Sequence, residues 1–283
     1  MSLLRPAALT WILLSVLAPA QAPRPDSGSS AEPARGSPPT SEHFVLEWGG
    51  ATSHPAASYD GAQALRQAAR DGRVGLVALH RRRVDGGWQL EQEVVFPFEG
   101  LRLLAVECLS ARSPRLVWRE IGLAGGRTIF AEWTAQSEEL RVLEWGVDGS
   151  LRESIATGRG AVMPQYLLDL CRHGELSGGS FRVFDPLSGA LEDWVLEVDY
   201  LREGTAESEP AGYRRRVELR RSDGSLAGRY LFAGTRLERF QWQEGQLSAR
   251  WISAQEHREL SEAWGLDGPP PALQDSLDGV RDL

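Results

Sequence analysis

From about residue 74 onward, apolar and polar residues alternate with a period of two, in runs broken by turn signals about every eight to twelve residues. This pattern predicts strands near 74–84, 88–97, 101–109, 115–121, 127–134, 140–147 and 150–156. A second set follows near 180–185, 191–201, 213–221, 226–233, 236–243 and 246–253. Val45-Leu46-Glu47-Trp48-Gly49 reads as an earlier strand, and Gly61 to Arg70 as a helix anchored by Leu65. Between the two sets the period changes. Met163, Tyr166, Leu167, Leu170 and Cys171 fall on one face of a 3.6-residue helix, predicting a helix from Pro164 to His173. Pro164 suits the first helical position, Arg172 and His173 oppose the dipole in the last turn, and Gly174 supplies a left-handed stop. A helix this short is not stable alone in water, so it must lie on an apolar sheet face. Ser253-Ala254-Gln255-Glu256 is a capping-box pattern that opens a last helix through Trp264, with His257, Leu260 and Trp264 on one face. The fold class expected is mainly β: a large antiparallel meander curved into a half-barrel or open barrel, with short helices packed on its concave face.

Turn chemistry lets register be tested. The chain has no asparagine, and its tight turns use Asp-Gly at 85–86, 148–149 and 223–224 and Glu-Gly at 244–245. A two-residue turn at 223–224 sets Glu218 opposite Arg229 and Val217 opposite Tyr230. One at 244–245 sets Trp242 opposite Leu247 and Phe240 opposite Ala249. All four pairs are favourable. A two-residue turn at 148–149 would instead set Glu144 opposite Glu153. Either that turn carries a bulge or the two carboxylates form a site. In Leu191–Leu201 the pattern puts Trp194, Leu196, Val198 and Tyr200 on one face, so one side is core and the other largely wet.

The first residues have the form of an export signal: Arg5 gives a positive start, and Ala7–Leu17 is an apolar run too short to span a membrane. Ala18-Pro19-Ala20 places cleavage before Gln21, giving a signal peptide over 1–20 and a periplasmic or secreted protein with no transmembrane span in its mature form. Residues 21–42 are rich in Pro, Ser, Gly and Ala and read as a disordered tether, and 265–283 as a flexible acidic tail. Between them, 43–264 forms the antiparallel β domain, either as one unit or as halves 43–160 and 161–264. A net charge of −8 argues against a nucleic-acid partner, and the absence of lysine excludes Schiff-base and phosphate-loop lysines. Cys108 and Cys171 are the only cysteines; in an oxidising compartment they form either a bridge from strand to helix or two buried free thiols.

Catalytic patterns are largely missing. There is no Gly-x-Ser-x-Gly, no His-Glu-x-x-His, no Cys-x-x-Cys and no glycine loop opening a helix, and the five histidines are scattered. The expectation is a non-enzyme without metal or cofactor. Nine tryptophans follow the export segment. They fill a large core, line an apolar cavity or form an aromatic surface that stacks on sugars. Arg81-Arg82-Arg83 and Arg214-Arg215-Arg216 read chiefly as solvated strand faces paired with glutamates, with recognition of an anionic headgroup as the other reading.

The stretch from Met163 to Ser253, above all Gly178-Gly179-Ser180-Phe181-Arg182-Val183-Phe184-Asp185 and Ala249-Arg250-Trp251-Ile252-Ser253, resembles the periplasmic lipoprotein-carrier half-barrels of the LolA and LolB type and related uncharacterised exported proteins. The resemblance implies a cavity that takes up acyl chains. The resulting expectation is a protein that binds an apolar or amphipathic small molecule or lipid between the curved sheet and the 164–173 helix. Tyr166, Leu167, Leu170, Trp194, Trp242 and Trp251 are its candidate cavity residues. The alternative is a glycan-binding or cell-envelope structural module that uses exposed tryptophans.

Overall fold

A computed structural model of the chain describes residues 40–49, 67–68, 70–84, 87–110, 114–122, 125–134, 138–157, 161–186, 188–202, 213–242 and 247–266. The expected export segment, most of the 21–42 tether, most of the 61–70 helix and nearly all of the 265–283 tail lie outside them. No helix among the described residues is long and apolar enough to cross a membrane.

Within the described residues the alternating runs form fifteen strands. The first eight are β1 (Thr40–Trp48), β2 (Arg73–Val84), β3 (Gly87–Phe96), β4 (Leu101–Ser110), β5 (Arg115–Gly122), β6 (Gly125–Thr134), β7 (Glu139–Trp145) and β8 (Leu151–Thr157). After β9 (Ala161–Val162) and helix α1 (Pro164–His173) come β10 (Gly178–Asp185), β11 (Ala190–Arg202), β12 (Tyr213–Arg221), β13 (Leu226–Ala233), β14 (Arg236–Trp242), β15 (Leu247–Ile252) and helix α2 (Ala254–Ala263).

All fifteen belong to one sheet in the order β8-β7-β6-β5-β4-β3-β2-β1-β15-β14-β13-β12-β11-β10-β9. Two meanders, β1–β8 and β10–β15, are therefore sewn together where the first strand pairs with the last, and β9 is added at the outer edge of the second after the chain crosses over through α1. Every ladder is antiparallel except the short β9–β10 pairing. The two outermost strands, β8 and β9, are consecutive in the chain. The four steps from Thr157 to Ala161 span at most about 14 Å, so the sheet must curl until its two edges nearly meet. They share no ladder, and the barrel stays open along that seam.

Register follows the turn chemistry. Val217 faces Tyr230 and Glu218 faces Arg229, while Phe240 faces Ala249 and Trp242 faces Leu247. The Asp148-Gly149 connection is longer than two residues. Gly146 N–H donates to the Ser150 carbonyl at 2.9 Å, Gly149 adopts φ 76°, and the ladder pairs Glu144 with Arg152 and Leu143 with Glu153. The looser turn removes the like-charge contact.

The core fills the concave side. Inward residues of both meanders, among them Phe44, Val77, Trp118, Ile129, Trp194, Leu196, Phe232 and Phe240, form one cluster that includes Met163, Leu167 and Cys171 of the α1 segment. Helix α2 takes the opposite face. Ser253 caps it by accepting from Glu256 N–H at 3.1 Å, and Leu260, Trp264 and Leu266 close over Val45, Leu76 and Ile252. None of the ten residues of α2 is itself buried, as its mostly charged and polar sequence requires.

Candidate ligand-binding site

Helix α1 crosses the barrel interior, and polar groups from both meanders hold it there. At its N-terminus the N-cap residue, Met163, makes no side-chain cap hydrogen bond, and Glu107 of β4 supplies the acceptor. Gln165 N–H donates to Glu107 Oε1 at 2.6 Å and Tyr166 N–H to Oε2 at 2.9 Å, satisfying two of the helix's orphan donors. Glu107 is completely buried, and burial pushes its carboxyl up to about 8 even though the two N–H bonds pull the other way. At the C-terminus Gly174 takes φ 72° and its N–H donates to the Cys171 carbonyl, while Glu175 N–H reaches Leu170. Arg215 of β12 donates to the carbonyls of Cys171 at 2.8 Å, Arg172 at 2.5 Å and Gly234 at 2.6 Å. The left-handed backbone favours glycine there, and a Cβ on Gly174 would lie 2.7 Å from that guanidinium, which would have to shift.

The flanks of the helix are tied as well. Arg81 pairs with Asp169 at 3.1 Å and lies 3.8 Å over the Trp88 ring. Arg172 pairs with Glu42 at 2.6 Å, Glu42 also accepts from Leu237 N–H, and Gln165 hydrogen-bonds Gln92. Each arginine triplet is thus split by strand alternation: Arg81 and Arg215 serve the inner helix. Arg82 pairs with Glu91, Arg214 with Glu238 and Arg216 with Asp199. Sequence reading missed Glu107 and placed Arg81 and Arg215 on solvated strand faces with the rest of their triplets. The signal for Glu107 was available as a lone carboxylate among Leu103, Ala105 and other inward positions of a strand otherwise buried on that face.

An apolar cavity of about 80 Å³ lies at the N-terminal end of α1, between the helix and the sheet. Its walls are Leu109, Pro114, Trp133, Leu140, the β9 residues Ala161 and Val162, Met163, Tyr166 and Phe184. The Trp133 indole N–H is buried and has no hydrogen-bond partner among the described residues. A second, polar crevice beside Arg81, Asp169 and Arg172 measures about 20 Å³, room for one water molecule.

The candidate cavity residues are dispersed. Tyr166 lines the apolar cavity. Leu167 is packed core, and Leu170 is half-buried outside the cavity wall. Trp194 is core; its indole N–H donates to Glu192 at 3.0 Å and Arg221 lies over its ring. Trp251 stands at the rim, 38% exposed beside Arg236, and the Trp242 side chain falls outside the described residues. Trp118, Trp194 and Trp264 are buried and Trp48, Trp88, Trp133 and Trp145 half-buried, so Trp251 is the one exposed indole among the described side chains.

Cys108 and Cys171 are free thiols, and no bridge joins helix to strand. Alternation along β4 explains why: Glu107 points inward to α1, so its neighbour Cys108 points outward, and the sheet stands between the thiols. Burial pushes the Cys171 thiol up to about 12. Glu144 and Glu153 lie on opposite faces of the β7–β8 ladder, each engaged by its own arginine, Arg127 and Arg141, at 2.7 Å. Ser41 Oγ lies 2.9 Å from His80 Nδ1, but no carboxylate orients that ring among the described residues. Nor do the described residues include a group of three His, Cys, Asp or Glu side chains arranged to hold a metal.

Neither the family models nor the curated proteins contain a match to this chain. Among solved structures, the chain is similar to a β-barrel-like protein of a domain of unknown function, DUF1849, from Brucella abortus. The identity is 9% and the TM-score 0.48, over 76% of this chain and 96% of that one. The described part of this chain is itself a mainly β, barrel-like protein: one open, largely antiparallel sheet curled around an inner helix.

Proposed function

We propose that this is an exported, non-enzymatic protein that grips the apolar end of a lipid-like or amphipathic molecule in the cavity between the sheet and the N-terminal end of α1. The carrying observation is the cavity itself: nine residues, nearly all apolar, meeting where the barrel is open. Its size limits the ligand. At about 80 Å³ it offers roughly half the ~150 Å³ that admits benzene in an engineered apolar cavity, so it takes the tip of a chain, not a whole acyl tail. The kinship to lipoprotein carriers of the LolA and LolB type belongs to the same proposal. It asks for less than those carriers do, because most of the interior is taken by α1 and its polar ties. Among the described side chains, the glycan reading has only Trp251 to stack on.

The test is fluorescence titration of the full chain with a fluorescent fatty acid, beside Ala161→Trp, which puts a large side chain into the cavity wall. Saturable binding that is lost in Ala161→Trp is the expected result. No saturable binding, or equal binding by the filled variant, would overturn the proposal.

A further inference from the structure

Three of the five histidines come together on the outer side of the sheet, far from the cavity. His43 of β1 lies with its ring centroid 4.6 Å from that of His257 in α2 and 5.9 Å from that of His80 in β2. His43 Nδ1 is buried without a hydrogen-bond partner among the described residues, while His80 is held by Ser41. The carboxylates on the surrounding elements are already engaged. Glu47 of β1 pairs with Arg250 of β15 at 3.0 Å, Glu91 of β3 with Arg82 of β2 at 3.0 Å, and Glu256 of α2 lies 3.9 Å from Arg250. Glu259, one turn further along α2, accepts from Gln255. Glu47 and Glu256 share the single Arg250, and the charges that act on His257 are those of the His43 and His80 rings, so positive charge on the imidazoles would meet chiefly each other.

The helix they hold is lightly attached. No residue of α2 is buried, and its anchorage comes from half-buried Leu260 and from Trp264 just beyond its end. Ten residues do not stay helical in water alone, so losing the sheet contact means losing the helix.

We propose that the His43–His257 contact is an acid-sensitive latch, which holds α2 on the outer sheet face while the rings are neutral and releases it when they are protonated. Burial and the neighbouring rings lower both groups, His257 to about 4 and His43 in the same direction. With the attached-state affinity for protons depressed below the ordinary 6.5, the released state binds protons more tightly. Attachment is strongest above pH 6.5, weakens as pH falls from 6.5 towards 4, and levels off below. Release would uncover Val45, Leu76 and Ile252, an apolar patch on the convex side.

Hydrogen–deuterium exchange of the full chain, corrected for the intrinsic pH dependence of exchange, reads this directly. Between about pH 7.5 and about pH 5, protection of 254–263 should fall about tenfold or more while β2 and β3 stay protected. In His43→Phe/His257→Phe, which keeps ring contact without titration, the pH dependence should disappear. His257→Gln, a substitution on a helix face that leaves the sheet untouched, should flatten it in part if the double variant folds poorly. Unchanged protection of α2 across this range, an equal loss in the substituted chains, or simultaneous loss from the β2 and β3 peptides would overturn the latch. So would an NMR titration placing His257 at its ordinary pKa.

Discussion

Glu107 is the most informative single position, because a buried carboxyl does the work of a helix cap from a strand 58 residues away. Glu107→Ala removes the acceptor for two backbone N–H groups inside the barrel. Each orphaned donor costs about 1–3 kcal/mol, and the void adds to this, so we expect a loss of about 2–5 kcal/mol at neutral pH. Glu107→Gln keeps the shape and one acceptor oxygen but turns an NH₂ towards the second helix N–H; its loss should be smaller, about 1–2 kcal/mol. The two variants also separate charge from shape through pH. The folded-state pKa is raised from 4.5 to about 8, so the folded protein holds this proton more tightly than the unfolded chain does. The stabilisation is fully present below pH 4.5 and is lost as pH rises through about 8. The span corresponds to on the order of 3–5 kcal/mol once the helix dipole, which favours the carboxylate, is set against burial. Urea unfolding of the unsubstituted chain, Glu107→Gln and Glu107→Ala at a series of pH values between about 5 and 9 tests this. The decline in stability from about pH 5 to about pH 8, levelling off above, should be present in the unsubstituted chain and absent from Glu107→Gln. Parallel curves for the two proteins would refute the reasoning, since the titrating group would then lie elsewhere.

Other positions give further outcomes. Leu167→Ala truncates a fully packed side chain and should cost about 2–5 kcal/mol, whereas Leu170→Ala, half-buried, should cost about 1–2 kcal/mol; urea midpoints compare them. Gly174→Ala forces an L side chain into a left-handed conformation and against Arg215, and should cost about 1–3 kcal/mol in the same assay. Thiol titration of native protein with an aromatic disulfide at mildly alkaline pH should leave Cys171 unreacted and modify Cys108 slowly at most. Denatured, unreduced protein should yield two thiols per chain, because no bridge joins them.

The strands of the second meander were legible because they bury chiefly one face, whereas β1, β2 and β4 bury residues on both faces and read as more continuous apolar runs. Period-two alternation marks the first condition, and Trp194, Leu196 and Val198 sit inside where Val195, Glu197 and Asp199 stand outside. Helix α1 was legible from its stripe and stop signals, and the 223–224 and 244–245 registers from their turns. Two things could not be read. The β1–β15 seam that joins the meanders is a pairing between residues about 200 apart, which no local pattern encodes. The use of Arg81 and Arg215 depends on which alternate member of an arginine run faces inward, and all members of a run look alike in sequence. The cavity was placed between helix and sheet without its size, because apolar periodicity gives the face that is buried and not the volume left after packing.

The polar frame also restricts how a ligand could reach the cavity. Swinging α1 out of the barrel would break the Glu107 cap, the Arg81–Asp169 and Arg172–Glu42 pairs and the three Arg215 bonds together. Glu42, Glu107 and Asp169 would each be left buried or newly hydrated at a cost of several kcal/mol, more than the contact energy of an 80 Å³ pocket can return. The weakest wall is β9, two residues long, paired with β10 at only two positions and bordering the open seam. Under the proposed function, an apolar tip would therefore enter past Ala161 and Val162, with α1 as a fixed floor. On this route Ala161→Trp blocks uptake with little effect on stability, whereas Arg215→Met lowers stability by about 2–4 kcal/mol and leaves the affinity of the remaining folded protein near that of the unsubstituted chain. A helix-displacement route requires the reverse for Arg215→Met, tighter or faster uptake as the floor loosens, and stopped-flow binding of the fluorescent fatty acid distinguishes the two.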